Sequence, residues 1–167
     1  IDGLGRTDFA GCQVTRKSTS GGVAMLGNHC LKTWSSTQEV VALSSGEAEL
    51  YGIVKGTTYA IGIRSLLEDL GVQVQTVVNT DASAALGIVK RRGVGKVRHI
   101  EVNALCIQDK VQSGEVEVRK VRSSDNLADV LTKYVSQDKM QSAMHVMGFE
   151  ARGSRHELNP FLDVQQR

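Results

Sequence analysis

Ser44-Ser45-Gly46-Glu47-Ala48-Glu49, continuing through Leu50-Tyr51-Gly52-Ile53 to Leu70-Gly71, carries more of the fold than any other segment. Ser44 followed three residues later by Glu47 fits a capping box, in which each side chain satisfies a backbone N–H left open at a helix start. Beyond it, Ile53, Ala60, Ile63, Leu67 and Leu70 recur at helical spacing. Gly71 is a natural stop. The pattern predicts a helix over 44–70. Gly52, Gly56 and Gly62, with Thr57 and Thr58, argue against a single straight one.

On either side of this helix the pattern changes period. Val74-Gln-Thr-Val-Val-Asn-Thr80 is rich in strand formers and reads as a central strand ended by Asp81. Upstream, Val23 to Leu26 and Leu31 to Trp34 read as two short strands around the turn signal Gly27-Asn28, and a first strand ends near Asp8. Downstream come a short helix over 82–90, a helix over 98–113 with Ile100, Ala104, Ile107 and Val111 on one stripe, and a half-buried strand at Val116 and Val118. Asp125 or Asn126 would cap a further helix bearing Asp129, and 137–147 forms one more. The order predicts an α/β or α+β domain with a mixed sheet. Residues 1–136 read as the domain and 137–167 as a C-terminal helix and a loosely attached polar tail.

Composition narrows the class. The 167 residues suit one domain, with 41% hydrophobic and 23% charged residues, as in an ordinary globular protein. No run approaches the roughly 20 apolar residues of a membrane span. Cys12, Cys30 and Cys106 match neither a zinc pattern nor a disulfide scaffold, which points to a reducing, intracellular setting. A chain opening Ile1-Asp2-Gly3 reads as a piece of something longer or a tag remnant. The net charge of +2 does not itself make a nucleic-acid binder. Lys90, Arg91, Arg92, Lys96, Arg98 and His99 are nevertheless concentrated within ten residues.

Acidic residues at element junctions are the candidates for chemistry: Asp8, Glu49, Asp81 and Asp129. Carboxylates from separate elements that converge repel one another unless they bind cations, and hard oxygen ligands select Mg²⁺ or Mn²⁺. Each has a bland alternative. Asp81 serves equally well as a helix cap. Glu47 is explained by the capping box, and lies about 200° around the helix from Glu49, so the two cannot share a site. Asp125 and Asp129, four apart, would share a helix face, though Asp125 is explained as a cap. The basic run at 90–98 reads first as a solvated loop.

Several blocks together resemble one family. Thr15-Arg16-Lys17-Ser18-Thr19-Ser20-Gly21-Gly22, Trp34-Ser35-Ser36-Thr37-Gln38, Val41 to Glu49, Thr80-Asp81-Ala82-Ser83-Ala84-Ala85, Lys96 to Val102 and Asn126 to Lys133 appear in the order found in ribonuclease H domains of copia-type retrotransposon Pol polyproteins. The resemblance implies a five-stranded mixed sheet flanked by helices. It also implies two Mg²⁺ ions, with Mn²⁺ as a substitute, held by four acids, with Glu49, Asp81 and Asp129 at three positions. The implied reaction is hydrolysis of the RNA strand of an RNA–DNA hybrid, with no small-molecule cofactor and no membrane. The implied neighbour is the reverse transcriptase domain of the same polyprotein, in a cytoplasmic retrotransposon particle or the nucleus. Ser18, Thr19, Ser20 and Ser83 become candidate contacts to 2′-hydroxyls. Lys90, Arg91, Arg92, Lys96 and Arg98 become candidate contacts to the sugar–phosphate backbone.

The first strand departs from the family pattern. Aligned back from Ala10-Gly11, the first ligand position falls on Arg6, with Asp8 two residues on. Either Asp8 serves as the fourth acid one pleat further along, or a short deletion makes Thr7-Asp8 the equivalent pair, or the site has decayed. The competing classes are therefore a metal-dependent nuclease and a binding or structural module of the same fold. An integrase-type core is disfavoured because Glu49 precedes the strand that ends at Asp81.

Overall fold

The computed structural model describes residues 1–93 and 101–150. Its strands are β1 (Asp2–Asp8), β2 (Thr19–Leu26), β3 (His29–Thr37), β4 (Thr76–Thr80) and β5 (Val116–Lys120), and its helices are α1 (Ser45–Asp69), α2 (Ser83–Lys90), α3 (Glu101–Gln112) and α4 (Gln137–Val146). Two 3-10 turns, Ser123–Asp125 and Leu127–Leu131, lie between β5 and α4. The expected basic residues Lys96 and Arg98, the start of the 98–113 helix and the tail beyond 150 lie outside the described residues.

The five strands form one mixed sheet in the order β3-β2-β1-β4-β5. β1, β2 and β3 run as an antiparallel meander, while β1 with β4 and β4 with β5 pair in parallel. The C-terminal ends of β1, β4 and β5 therefore open on the same edge, where α/β sheets commonly place their sites. One apolar cluster joins Leu50 and Ile53 of α1, Val78, Val89 of α2, Ile107 of α3 and Val116. The other joins Val23, Met25 and Val130 to Ala143 and Met147, so α4 packs into the main body.

α1 is one 25-residue helix despite its glycines. Those glycines let it approach the sheet. A Cβ at Gly52 would stand 2.7 Å from Thr7 Oγ1, inside van der Waals contact, and Gly56 faces the Trp34 ring. The capping box forms at Ser44, whose Oγ accepts from the Glu47 N–H. Its reciprocal arm lands one residue earlier than in the standard motif: Glu47 accepts from the Leu43 N–H at 2.8 Å. Leu66 and Leu70 are largely exposed, so the apolar stripe read along the whole helix is buried only in its first two thirds.

Candidate functional site

Three tertiary grips bring distant acids to one sheet edge. The Ala48 carbonyl accepts from Thr7 Oγ1 at 3.2 Å and from Gln38 Nε2 at 2.8 Å, which pins the first turns of α1 over β1 and carries Glu49 there. Parallel pairing matches Leu4 to Asn79, and the same register two residues on sets Arg6 beside Asp81. Asn126 donates through Nδ2 to the Gly5 carbonyl at 3.0 Å while its Oδ1 caps the Ala128 N–H, which ties the turn bearing Asp129 to β1.

Arg6 stands at the centre of this arrangement. Its guanidinium pairs through Nη1 with Asp81 Oδ2 and through Nε with Asp129 Oδ1 at 3.2 Å. Asp129 is also met by Lys133 Nζ at 3.0 Å and Lys139 Nζ at 2.7 Å. Both aspartate side chains are almost wholly buried, at 6% and 4% exposure. Ser123 Oγ donates to Asp81 at 2.5 Å, and Asp81 Oδ1 is buried with no hydrogen-bond partner. Arg6, Glu49, Asp81 and Ser83 line a common cleft of about 290 Å³.

The electrostatics follow the geometry. Burial pushes the Glu49 carboxyl up to about 7, against the opposing pull of the Thr7 backbone N–H and Arg6, with Asp129 adding repulsion. Burial would also raise Asp129, but Lys139, Lys133 and Arg6 together hold it below the ordinary carboxylate value. One acid of the group is thus biased toward its neutral form and another is fixed as an anion.

These residues do not fit a pair of divalent ions. The place between Asp81 and Asp129 is taken by a guanidinium, which carries its charge permanently and accepts no coordination bond. Among the described residues, no three His, Cys, Asp or Glu side chains are arranged to hold an ion. Asp8 lies on the same face of β1 as Arg6, but lines a separate groove with Gly11, Thr19, Thr132 and Lys133. Arg6, not Asp8, is the β1 side chain that reaches Asp81 and Asp129.

Other expected residues fall in several places. Asp81 is not a helix cap: α2 is capped at Ala82 with no side-chain bond. Asp129 sits in a 3-10 turn rather than an α-helix, and Asp125 turns outward to Arg122, so the two do not share a face. Ser18 and Ser20 are buried, contrary to a role in touching nucleic acid. Ser18 accepts from the Ala10 N–H, and Ser20 bonds Thr7 and Gln38. Thr19 is half-buried at the strand edge opposite Asp8. Ser83 is exposed at the cleft, where its Oγ accepts from Lys120 Nζ. Lys90 and Arg92 are exposed and Arg91 half-buried at the far end of α2, about 12 Å along an eight-residue helix. Asn126 caps the Asp129 segment as one of the two expected residues, while sequence reasoning missed its bond to Gly5 and the parts of Gln38, Lys133 and Lys139. Only Lys133, four residues after Asp129, carried a local signal.

The fold is that of ribonuclease H. Ribonuclease H1 from Halobacterium salinarum superposes with a TM-score of 0.55 at 13% identity, covering 85% of this chain and 98% of that one. LC11 ribonuclease H1, solved in complex with an RNA/DNA hybrid, gives 0.51 at 14% identity over 86% and 98%. In sequence the chain is similar to retrovirus-related Pol polyproteins from plant transposons. It is 32% identical over 144 residues to that of transposon RE2 of Arabidopsis thaliana, and 28% identical over 153 residues to that of TNT 1-94 of Nicotiana tabacum. These alignments cover 84% and 90% of the chain but 10% and 12% of the polyproteins, so it spans about a tenth of the curated relatives' length. No protein-family model matches. Among the described residues no helix is long and apolar enough to cross a membrane.

Proposed function

We propose that this is the ribonuclease H domain of a retrotransposon Pol polyprotein, that it binds RNA–DNA hybrid across the end of the sheet where Glu49, Asp81 and Asp129 meet, and that its hydrolysis of the RNA strand is weak. The convergence of three acids from α1, the end of β4 and the Asp129 turn carries the first two parts. The hybrid held by a ribonuclease H of the same fold supports the choice of ligand. Arg6 carries the third part. It neutralises Asp81 and Asp129, the acids a ribonuclease H would need for its ions, and Asp8 does not join them.

The remaining residues divide the work of binding. Ser83, exposed on the cleft wall, would meet the 2′-hydroxyls that distinguish an RNA strand. Lys90 and Arg92 lie where a duplex crossing the cleft and running along α2 would present its phosphates, and such contacts position without reading sequence. The adjoining reverse transcriptase domain of the polyprotein would deliver the hybrid.

Fluorescence anisotropy with labelled hybrid, duplex DNA and single-stranded RNA of one sequence tests the reading. The hybrid should bind most tightly, with a salt-dependent affinity. Equal affinity for all three, or none for any, would refute it.

A further inference from the structure

The acidic centre of this chain is charged unlike one that awaits cations. Arg6, Lys133 and Lys139 bring three positive charges against the three carboxylates of Glu49, Asp81 and Asp129. The centre is neutral even with every acid ionised. Its rim is basic as well. A second groove shares Asp81 and is walled by Lys120, Val121, Arg122 and Ser123. Lys133 and Lys139 are only half covered, with side-chain exposures of 44% and 42%, while the Arg122 side chain is 84% exposed.

We infer that this site is a metal-independent phosphodiester-binding site in which the Arg6 guanidinium permanently takes the place of a bound cation. The inference rests on the proposed binding of hybrid at this same edge. A guanidinium on two buried carboxylates is held in a fixed orientation, so little conformational freedom is lost when a phosphate approaches its remaining N–H donors. Ser123 Oγ, which accepts from Arg6 Nη1 at 3.4 Å and donates to Asp81, holds the guanidinium and the carboxylate together from a third side. Lys120, bonded to the exposed Ser83, can turn to the phosphate without leaving a buried carboxylate, while Lys133 and Lys139 stay on Asp129. A divalent ion entering here would have to expel the guanidinium from both aspartates, and the cations beside Asp129 would oppose it.

A site of this kind differs from a metal-loaded one in its response to chelators. Hybrid affinity of the full chain is measured by anisotropy at matched ionic strength, in EDTA and in MgCl₂, alongside calorimetric titration of MnCl₂ into the nucleic-acid-free protein. The natural chain should bind hybrid at least as tightly in EDTA as in Mg²⁺, and Mn²⁺ should give no saturable heat. Arg6→Gln and Arg6→Asp should each weaken hybrid binding in EDTA by about tenfold, equivalent to about 1.4 kcal/mol. Arg6→Asp should in addition bind Mn²⁺ and regain hybrid affinity with it. Arg6→Gln introduces no new charge and keeps the test valid if the aspartate variant fails to fold. A natural chain that loses hybrid affinity in EDTA, or that takes up Mn²⁺, overturns the inference. A chain that binds no hybrid in either buffer refutes the proposed function instead, and the Mn²⁺ titration still decides whether Arg6 excludes the ion.

Discussion

Two sets of cations differ in what they face. Around Asp81 and Asp129, Arg6, Lys133 and Lys139 are committed to buried carboxylates. At the C-terminal end of the eight-residue helix α2, Lys90 and Arg92 stand in solvent. Charges of one sign thus do different work according to what they face. The first set holds a group of acids together that would otherwise repel. The second is available to phosphate contacts, and its removal leaves no buried anion behind. The first set should therefore matter for stability, and through Arg6 for binding as well, whereas the second should matter for binding alone.

The largest expected effect is at Arg6. Replacing it by Met leaves Asp81 almost fully buried with only Ser123 as a partner, and removes one of three cations from Asp129. Stripping one partner from a buried ion pair typically costs about 3–5 kcal/mol. The partial exposure of Arg6 and the two remaining lysines reduce this to about 2–3 kcal/mol. Urea denaturation would measure it, and a loss below about 0.5 kcal/mol, the range of ordinary surface substitutions, would show that Arg6 is not structural.

Glu49 sharpens the comparison through pH. Its folded value is raised from 4.5 to about 7, mainly by burial. Between those values the folded chain keeps a proton that the unfolded chain has lost, so this group's contribution to stability falls as pH rises from about 4.5 to about 7, and is level above. The fall should amount to about 3 kcal/mol, and Glu49→Gln should abolish it and be the more stable form above pH 7. An unchanged slope in the variant would mean that Glu49 is solvated.

The smallest effect on stability belongs to the solvent-facing set. Lys90→Ala with Arg92→Ala should change the unfolding free energy by less than about 0.5 kcal/mol. It should nevertheless lower the salt slope of hybrid binding by roughly two, one for each phosphate contact removed. An unchanged slope would return these residues to the role of a solvated loop end.

The same contrast explains what the sequence made legible. Lys90, Arg91 and Arg92 are contiguous, so their charge is visible in a short window. Arg6, Lys133 and Lys139 come from β1, the segment after the second 3-10 turn and α4, and nothing local joins them. The capping box at Ser44 was readable because its chemistry is local. Asp81 was ambiguous because the residue after a strand can cap a helix or face a neighbouring strand, and the parallel register with β1 decides between these. The Asp129 segment was expected to be an α-helix. It is a five-residue 3-10 turn because both ends are pinned, by Asn126 to Gly5 and by Leu131, whose carbonyl accepts from Ser35 at 2.6 Å. Ser18 and Ser20 look polar and available in the sequence. Ser20, within β2, is turned inward into a network with Thr7 and Gln38, and Ser18, just before the strand, is held by the Ala10 N–H.

The most direct test of the central claim is cleavage of labelled RNA–DNA hybrid by the natural chain and by Arg6→Asp, each in Mg²⁺ and in Mn²⁺. If Arg6 keeps ions out at the position of the first acid, the natural chain cuts weakly or not at all and Arg6→Asp cuts at least about tenfold faster, a barrier lower by about 1.4 kcal/mol. Asp8→Asn should then matter little in the Arg6→Asp background. A natural chain that is already fully active, is silenced by Asp8→Asn and gains nothing from Arg6→Asp would contradict the claim and make Asp8 the missing acid.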